Sequence, residues 1–307
     1  MTSSDNAQAD KNRNGSYPRA FIRALRPYQW VKNFLLFLPL LTAQAFTVED
    51  ITSALLGFVA FSLAASGTYL LNDLMDLESD RNHIKKRHRP FASGAIPVTD
   101  GYVALPVLLI ASIYIGSLIN WTVVGLLLAY FIANLFYSTL LKRLIIVDVI
   151  VLSGFYALRV FTGAATIGVV ISPWLLMFSL FLFLSLAIIK RLVELVNNEQ
   201  VSDKAAGRRG YISQDIPMLS ALGAGSGFGS VLVIGLYINS EDVRVLYDRP
   251  EALWLICPLL LYWISRALLL AHRGDMHSDP VVFALLDRAS QIVALLGLVT
   301  IAVATFL

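Results

Sequence analysis

Charge is scarce in this chain of 307 residues: 15% is Asp, Glu, Lys or Arg, where a soluble domain carries about 25%. Set beside a hydrophobic share of 57% and a mean hydropathy of +0.69, that shortage excludes a soluble enzyme, a nucleic-acid binder and a disordered scaffold together. Cysteine is nearly missing as well. The one thiol, Cys257, lies in an apolar stretch, which leaves no intramolecular disulfide and no thiolate metal site. There is no P-loop, and no Ser-His-Asp or Cys-His arrangement stands out. The first apolar run begins near Phe34 behind a long polar leader, whereas a secretory signal would place its apolar region earlier and follow it with a small-residue cleavage site. That run reads as a retained span. What is left is an all-α, polytopic membrane protein.

The gaps between charged residues set the organisation. Residues Met1 to Ser16 are polar and predict a disordered tail, followed by one transmembrane domain over 17–307. Nine spans are predicted, at about 31–47, 52–71, 101–119, 122–141, 146–166, 172–190, 217–238, 252–270 and 287–306. Gly101 to Leu141 has no charge and is too long for one helix, so a hairpin is expected at Asn120–Trp121. This division places 21 of the 24 Lys and Arg residues on one side, with Arg244 and Arg249 opposite and Arg159 inside the membrane. Positive charge collects in the cytoplasm, so the N-terminus is expected there and the C-terminus outside.

The densest polar cluster closes the second span: Asn72, Asp73, Asp76, Glu78 and Asp80, then Arg81. On a continuous helix Asn72, Asp76 and Asp80 stack one above another, with Asp73 alongside. Stacked carboxylates call for a cation, and hard oxygen ligands favour Mg²⁺ held with substrate phosphates. The plainer alternative is a solvated helix end with Asp–Arg pairs. Downstream, Lys85, Lys86, Arg87, His88 and Arg89 form a juxtamembrane run, suited to anionic lipid or to substrate phosphate. Lys190, Arg191 and Glu194 close the sixth span, with a Lys190–Glu194 ion pair as the simple reading. Arg159 sits eleven residues after Asp148 on nearly the same face, so it lines a wet cavity, reaches an anion or forms a buried pair. Lys32, Asn33, Tyr137, Lys142 and Arg143 add polar groups toward the same predicted cytoplasmic mouth. Two weaker signals read as structural: a solvated loop at His272, Asp275, His277 and Asp279, and close helix packing at the small-residue run Gly223–Gly229.

The segment Asn72-Asp73-x-x-Asp76-x-x-x-Asp80 resembles the first aspartate-rich motif of the UbiA superfamily of intramembrane prenyltransferases. Four further segments are similar to its decaprenyl-phosphate phosphoribosyltransferase branch: Arg26 to Asn33, Lys86 to Gly94, Lys190 to Leu195, and Asp279 to Arg288. The resemblance implies nine transmembrane helices around a central cavity, in a bacterial-type inner membrane. It implies Mg²⁺ at Asn72, Asp73 and Asp76, with Asp73, Asp76 and Asp80 as the catalytic carboxylates. The implied substrates are phosphoribosyl pyrophosphate and a membrane polyprenyl phosphate, with pyrophosphate released. Substrate contacts would come from Lys32, Asn33, Lys86, Arg87, Arg89, Tyr137, Lys142, Arg159, Lys190, Arg191 and Glu194. One departure matters. Aromatic prenyltransferases of the superfamily carry a second aspartate-rich motif where this chain has Lys190, Arg191 and Glu194. The competing readings are a prenyltransferase joining a prenyl diphosphate to an aromatic acceptor, and a transporter of an anionic substrate.

Overall fold

The computed structural model of the chain describes residues 17–83, 86–201, 210–276 and 279–306. The expected tail, Met1 to Ser16, lies outside the described residues, as do Lys85, Lys204, Arg208, Arg209 and His277. Among the described residues every regular element is helical, and eight helical segments are long and apolar enough to cross a membrane. Their α-helices are α1 (Val48–Met75), α2 (Val98–Ile119), α3 (Trp121–Thr139), α4 (Val147–Ile167), α5 (Pro173–Val201), α6 (Ile216–Ile238), α7 (Ile256–Arg273) and α8 (Arg288–Phe306). The chain divides into two compact units, Met1–Ser138 with Arg159–Val169, and Thr139–Leu158 with Val170–Leu307.

In the first unit, α1 opens on a complete capping box. Thr47 Oγ1 accepts from the Asp50 N–H at 3.1 Å, and Asp50 Oδ2 accepts from the Thr47 N–H at 3.3 Å. Its 28 residues extend about 42 Å, against about 30 Å of hydrocarbon, so the last turns carry Asn72 and Asp73 to headgroup level. The hairpin forms at Asn120, whose extended backbone parts α2 from α3. Asn120 Oδ1 caps α3 by accepting from the Val123 N–H at 2.9 Å, and its Nδ2 donates to the Ala165 carbonyl at 2.8 Å.

The expected first span, residues 31–47, is corrected. A 3₁₀ helix of 11 residues, Pro27–Phe37, leads into a five-residue α-helix, Leu38–Thr42. The segment runs antiparallel along α1. Arg26 meets Asp73, Trp30 Nε1 donates to Ser66 Oγ at 2.9 Å, Asn33 Nδ2 donates to Ser62 Oγ at 2.9 Å, and the Phe37 ring lies 5.7 Å from that of Phe58. From Arg26 to Phe37, at about 2.0 Å per 3₁₀ residue, and from Asp73 back to Phe58, at about 1.5 Å per α residue, the distance is the same, roughly 22 Å. A tighter helix is longer per residue. Pro27 to Thr42 therefore covers about 30 Å, enough for a hydrocarbon core that so few α-helical residues could not cross. Gly163 of α4 allows the segment close: a Cβ there would stand 2.0 Å from the Leu36 carbonyl oxygen.

In the second unit the small residues of α6 serve packing. A Cβ on Gly227 would lie 2.5 Å from Ile264 of α7, and Ser185 of α5 donates to the Gly223 carbonyl at 2.8 Å. Ile238, Val243, Tyr247, Leu253 and Ala304 close one apolar cluster around the Pro250–Leu255 turn.

Candidate active site

The aspartate-rich motif occupies two helices, a departure from the single stacked face expected. α1 stops at Met75; Asp76 is its C-cap, the Asp76 N–H still bonding the Asn72 carbonyl at 2.9 Å. A short helix, Leu77–Arg81, then carries Asp80. The helix breaks at Asp76, and Arg89 bridges Asp73 and Asp80 across the break. It leaves Asp73 and Asp80 buried and Asp76 half-buried.

Two arginines reach into this cluster. Arg26 Nη2 donates to Asp73 Oδ1 at 2.5 Å, and Arg89 Nη1 donates to the same oxygen at 3.0 Å and to Asp80 Oδ2 at 2.6 Å. Arg26 adopts left-handed backbone geometry, φ 52° and ψ 54°, just ahead of Pro27, and its guanidinium lies 5.2 Å from the centre of the Tyr69 ring. That conformation is uncommon for a non-glycine residue and is retained where surrounding contacts enforce it. Asn72 Oδ1 accepts from Ser138 Oγ at 2.6 Å, so α3 fixes the amide's orientation. Neither Arg26 nor Ser138 was among the expected site residues. Arg26 falls inside a recognised motif, but its partner is 47 positions away in sequence. Ser138 carries no local signal.

Of the other expected contacts in this unit, Arg87 is exposed on a 3₁₀ turn beside half-buried Lys86, Tyr137 is half-buried, and Lys32 and Asn33 are buried. Arg159 is buried as well. Its Nε donates to Asn33 Oδ1 at 2.9 Å, and its guanidinium lies over the rings of Phe61 and Tyr130 at 5.0 and 5.4 Å. It belongs to a set of side chains that holds the Pro27–Phe37 segment.

The second unit holds Lys142, Lys190, Arg191 and Glu194. Arg191 is fully buried: its Nε donates to Asp148 Oδ2 at 2.5 Å, and its Nη1 pairs with Glu194. The Tyr211 hydroxyl donates to Asp148 Oδ1 at 2.5 Å and accepts from the Ile146 N–H at 2.9 Å. Burial, with that donation to a carboxylate second, holds the Tyr211 phenol well above its ordinary pKa. Lys190 Nζ stands 4.0 Å from Asp279, which caps the helix Pro280–Leu286. Glu194 is thus tied to Arg191 three residues away, and Asp148 pairs with the same guanidinium.

The donors fit a divalent cation that completes its shell from other ligands. Among the described residues no three Asp, Glu, His or Cys side chains form a ready-made metal cage. Yet Asp73 Oδ2 and Asp80 Oδ1 are buried without a hydrogen-bond partner, and an orphaned carboxylate oxygen is costly in such a place. Mg²⁺ commonly takes only one or two carboxylates and completes its shell with waters and substrate phosphates.

Comparison with known proteins places the chain. The model of the UbiA prenyltransferase family matches residues 34–287. The uncharacterized protein y4nM of Sinorhizobium fredii is 36% identical over 92% of this chain, which spans only 55% of that protein's length. Nodulation protein NoeC of Azorhizobium caulinodans is 34% identical, over 91% of this chain and 90% of its own. Decaprenyl-phosphate phosphoribosyltransferase of Mycolicibacterium smegmatis is 30% identical, over 93% and 92%. In fold, the chain is similar to a UbiA homologue from Archaeoglobus fulgidus solved with GPP and Mg²⁺, with a TM-score of 0.67 and 18% identity, covering 92% of this chain and 99% of the other.

Proposed function

The chain belongs to the UbiA prenyltransferase family, and from that membership we propose that it transfers the 5-phosphoribosyl group of phosphoribosyl pyrophosphate to a membrane polyprenyl phosphate, releasing pyrophosphate. One observation carries this choice of donor. The end of α5 carries Lys190, Arg191 and one carboxylate, Glu194, a cationic segment in place of the second cluster of acidic residues that a doubly clamped prenyl diphosphate needs. The Mycolicibacterium relative, named for this transfer, supports the same donor.

In this reading Asp73 and Asp80 supply orphaned oxygens to Mg²⁺, and Asn72, oriented by Ser138, supplies a third hard donor. Mg²⁺, when bound, neutralises the charge that collects on departing pyrophosphate. Half-buried Asp76 completes the acidic set. Arg89, Lys86 and Arg87 bind phosphate oxygens, for which guanidinium offers paired donors. Lys32 and Tyr137, in the same unit, serve as further polar contacts. Arg159 and Arg191 act by holding Asn33, Asp148 and Glu194 in place. The acceptor phosphate is already anionic at neutral pH, so attack on the anomeric carbon needs no strong general base. The protein sits in a bacterial inner membrane with the aspartates on the cytoplasmic side.

The test is product mass from purified protein given labelled phosphoribosyl pyrophosphate and polyprenyl phosphate, with a prenyl diphosphate and 4-hydroxybenzoate as the rival pair. A phosphoribosylated lipid and free pyrophosphate are expected. A prenylated aromatic product with no phosphoribosylated lipid overturns the proposal.

A further inference from the structure

We propose that Arg26 and Arg89 are resident counter-cations of the acidic site, which make metal and diphosphate bind together and keep a bare divalent ion out. This rests on the reading above that the aspartates hold a metal-bound diphosphate. Both guanidinium groups donate to one oxygen, Asp73 Oδ1, and Arg89 also reaches Asp80 Oδ2, while Asp73 Oδ2 and Asp80 Oδ1 have no partner. The buried carboxylates are therefore neutralised on one edge and open on the other. A lone divalent cation approaching the open edge meets two positive charges across a poorly solvated carboxylate, which weakens its binding. A metal diphosphate brings its own anionic oxygens, and those give the guanidinium groups new partners as the metal takes the carboxylates.

The backbone supports this role for Arg26. Its left-handed conformation, at φ 52°, is held by the Arg26 N–H bonding the Arg23 carbonyl and by the Gln29 N–H bonding the Arg26 carbonyl at 2.8 Å. It ends where the crossing segment begins and brings the guanidinium to Asp73. The pairing of Arg26 with Asp73 assigns it a function of its own.

The experiment measures Mn²⁺ binding by electron paramagnetic resonance on the full chain in detergent, with and without inorganic pyrophosphate and without any acceptor lipid. In the wild type, Mn²⁺ alone is expected to bind weakly, and pyrophosphate to tighten it at least tenfold. Arg26→Gln and Arg89→Gln should each tighten binding of Mn²⁺ alone by about tenfold and shrink the effect of pyrophosphate. Arg26→Lys, which keeps the charge, should behave more like the wild type. Should Arg26→Gln fail to fold, Arg89→Gln carries the same test. Folded glutamine variants with unchanged or weaker binding of Mn²⁺ alone would overturn the counter-cation role and leave the proposed reaction standing. A wild type that binds no Mn²⁺ even with pyrophosphate would remove both.

Discussion

Gly163→Ala should loosen the crossing segment. The added Cβ would stand 2.0 Å from the Leu36 carbonyl oxygen and 2.7 Å from the Leu36 carbonyl carbon, and ordinary contact begins at 3.4 Å. The neighbour is backbone, so no side chain can swing aside, and the segment must retreat by more than an ångström. Such a shift stretches the 2.9 Å bonds from Trp30 to Ser66 and from Asn33 to Ser62 beyond hydrogen-bonding range. Overpacking costs about 1–3 kcal/mol, and each lost bond about 1 kcal/mol. Alanine in a helix returns about 0.5–1 kcal/mol, which leaves a net loss of roughly 2–4 kcal/mol. Gly154, on the same helix, is the control: nothing beyond its own chain neighbours and helix backbone lies within 4 Å of its Cβ position. Gly154→Ala should stabilise by about 0.5–1 kcal/mol. The assay is reversible unfolding in mixed micelles followed by tryptophan fluorescence. If the two variants differ by less than about 0.5 kcal/mol, the close passage of Leu36 over α4 is refuted.

Ser138→Ala removes the donor to Asn72 Oδ1 and should weaken Mn²⁺-dependent pyrophosphate binding several-fold with little change in unfolding, as read by titration of both. Tyr211→Phe leaves Asp148 and the Ile146 N–H each short of a partner and should cost about 1–3 kcal/mol. Because the folded Tyr211 phenol is held above its ordinary pKa, its share of stability is intact below about pH 10 and fades as pH rises toward the folded value; a melting series in alkali should show that loss in the wild type and not in the variant. The Asp287 carboxyl lies between Arg266 of α7 and the Ser290 N–H and hydroxyl. Burial would raise its pKa, but those hydrogen bonds outweigh it and hold it below the usual carboxylate value. Its contribution should therefore persist above the ordinary aspartate range and disappear as pH falls through the lower folded pKa, with Asp287→Asn insensitive over that window in acid melts. Reporter fusions after Asn14, near Gly94 and at Leu307 should show the first two in the cytoplasm and the last outside; a cytoplasmic signal at Leu307 would contradict the crossing of Pro27–Thr42.

Local and periodic features could be read from sequence; partners distant along the chain could not. Gaps between charges located the eight long helices because each holds a long apolar window with at most two charged residues. Asn120 stood out as the one polar break between two such runs, and the small residues of α6 packed as their size requires. The 3₁₀ course of Pro27–Phe37 was hidden, since apolar composition fixes neither the helix type nor its rise. The partners of the two buried charges of α4 were equally hidden. Arg159 takes Asn33, 126 positions away, while Asp148, eleven positions away, takes Arg191 and Tyr211. Arg26 and Ser138 act at the acidic site through contacts that no spacing rule connects to it.

The antiparallel course of Pro27–Thr42 along α1 also bears on how the protein is made. The segment contains Lys32 and Asn33, and a charged or amide side chain opposes entry of an isolated helix into lipid. Asn33 finds its acceptor in Ser62, and Trp30 finds its own in Ser66, residues that leave the ribosome some thirty positions later. The segment Pro27–Thr42 thus lacks the contacts that stabilise it until α1 has been synthesised. Insertion of this end of the protein is a joint event of two consecutive segments, with α1 as the template and the earlier stretch folding back along it.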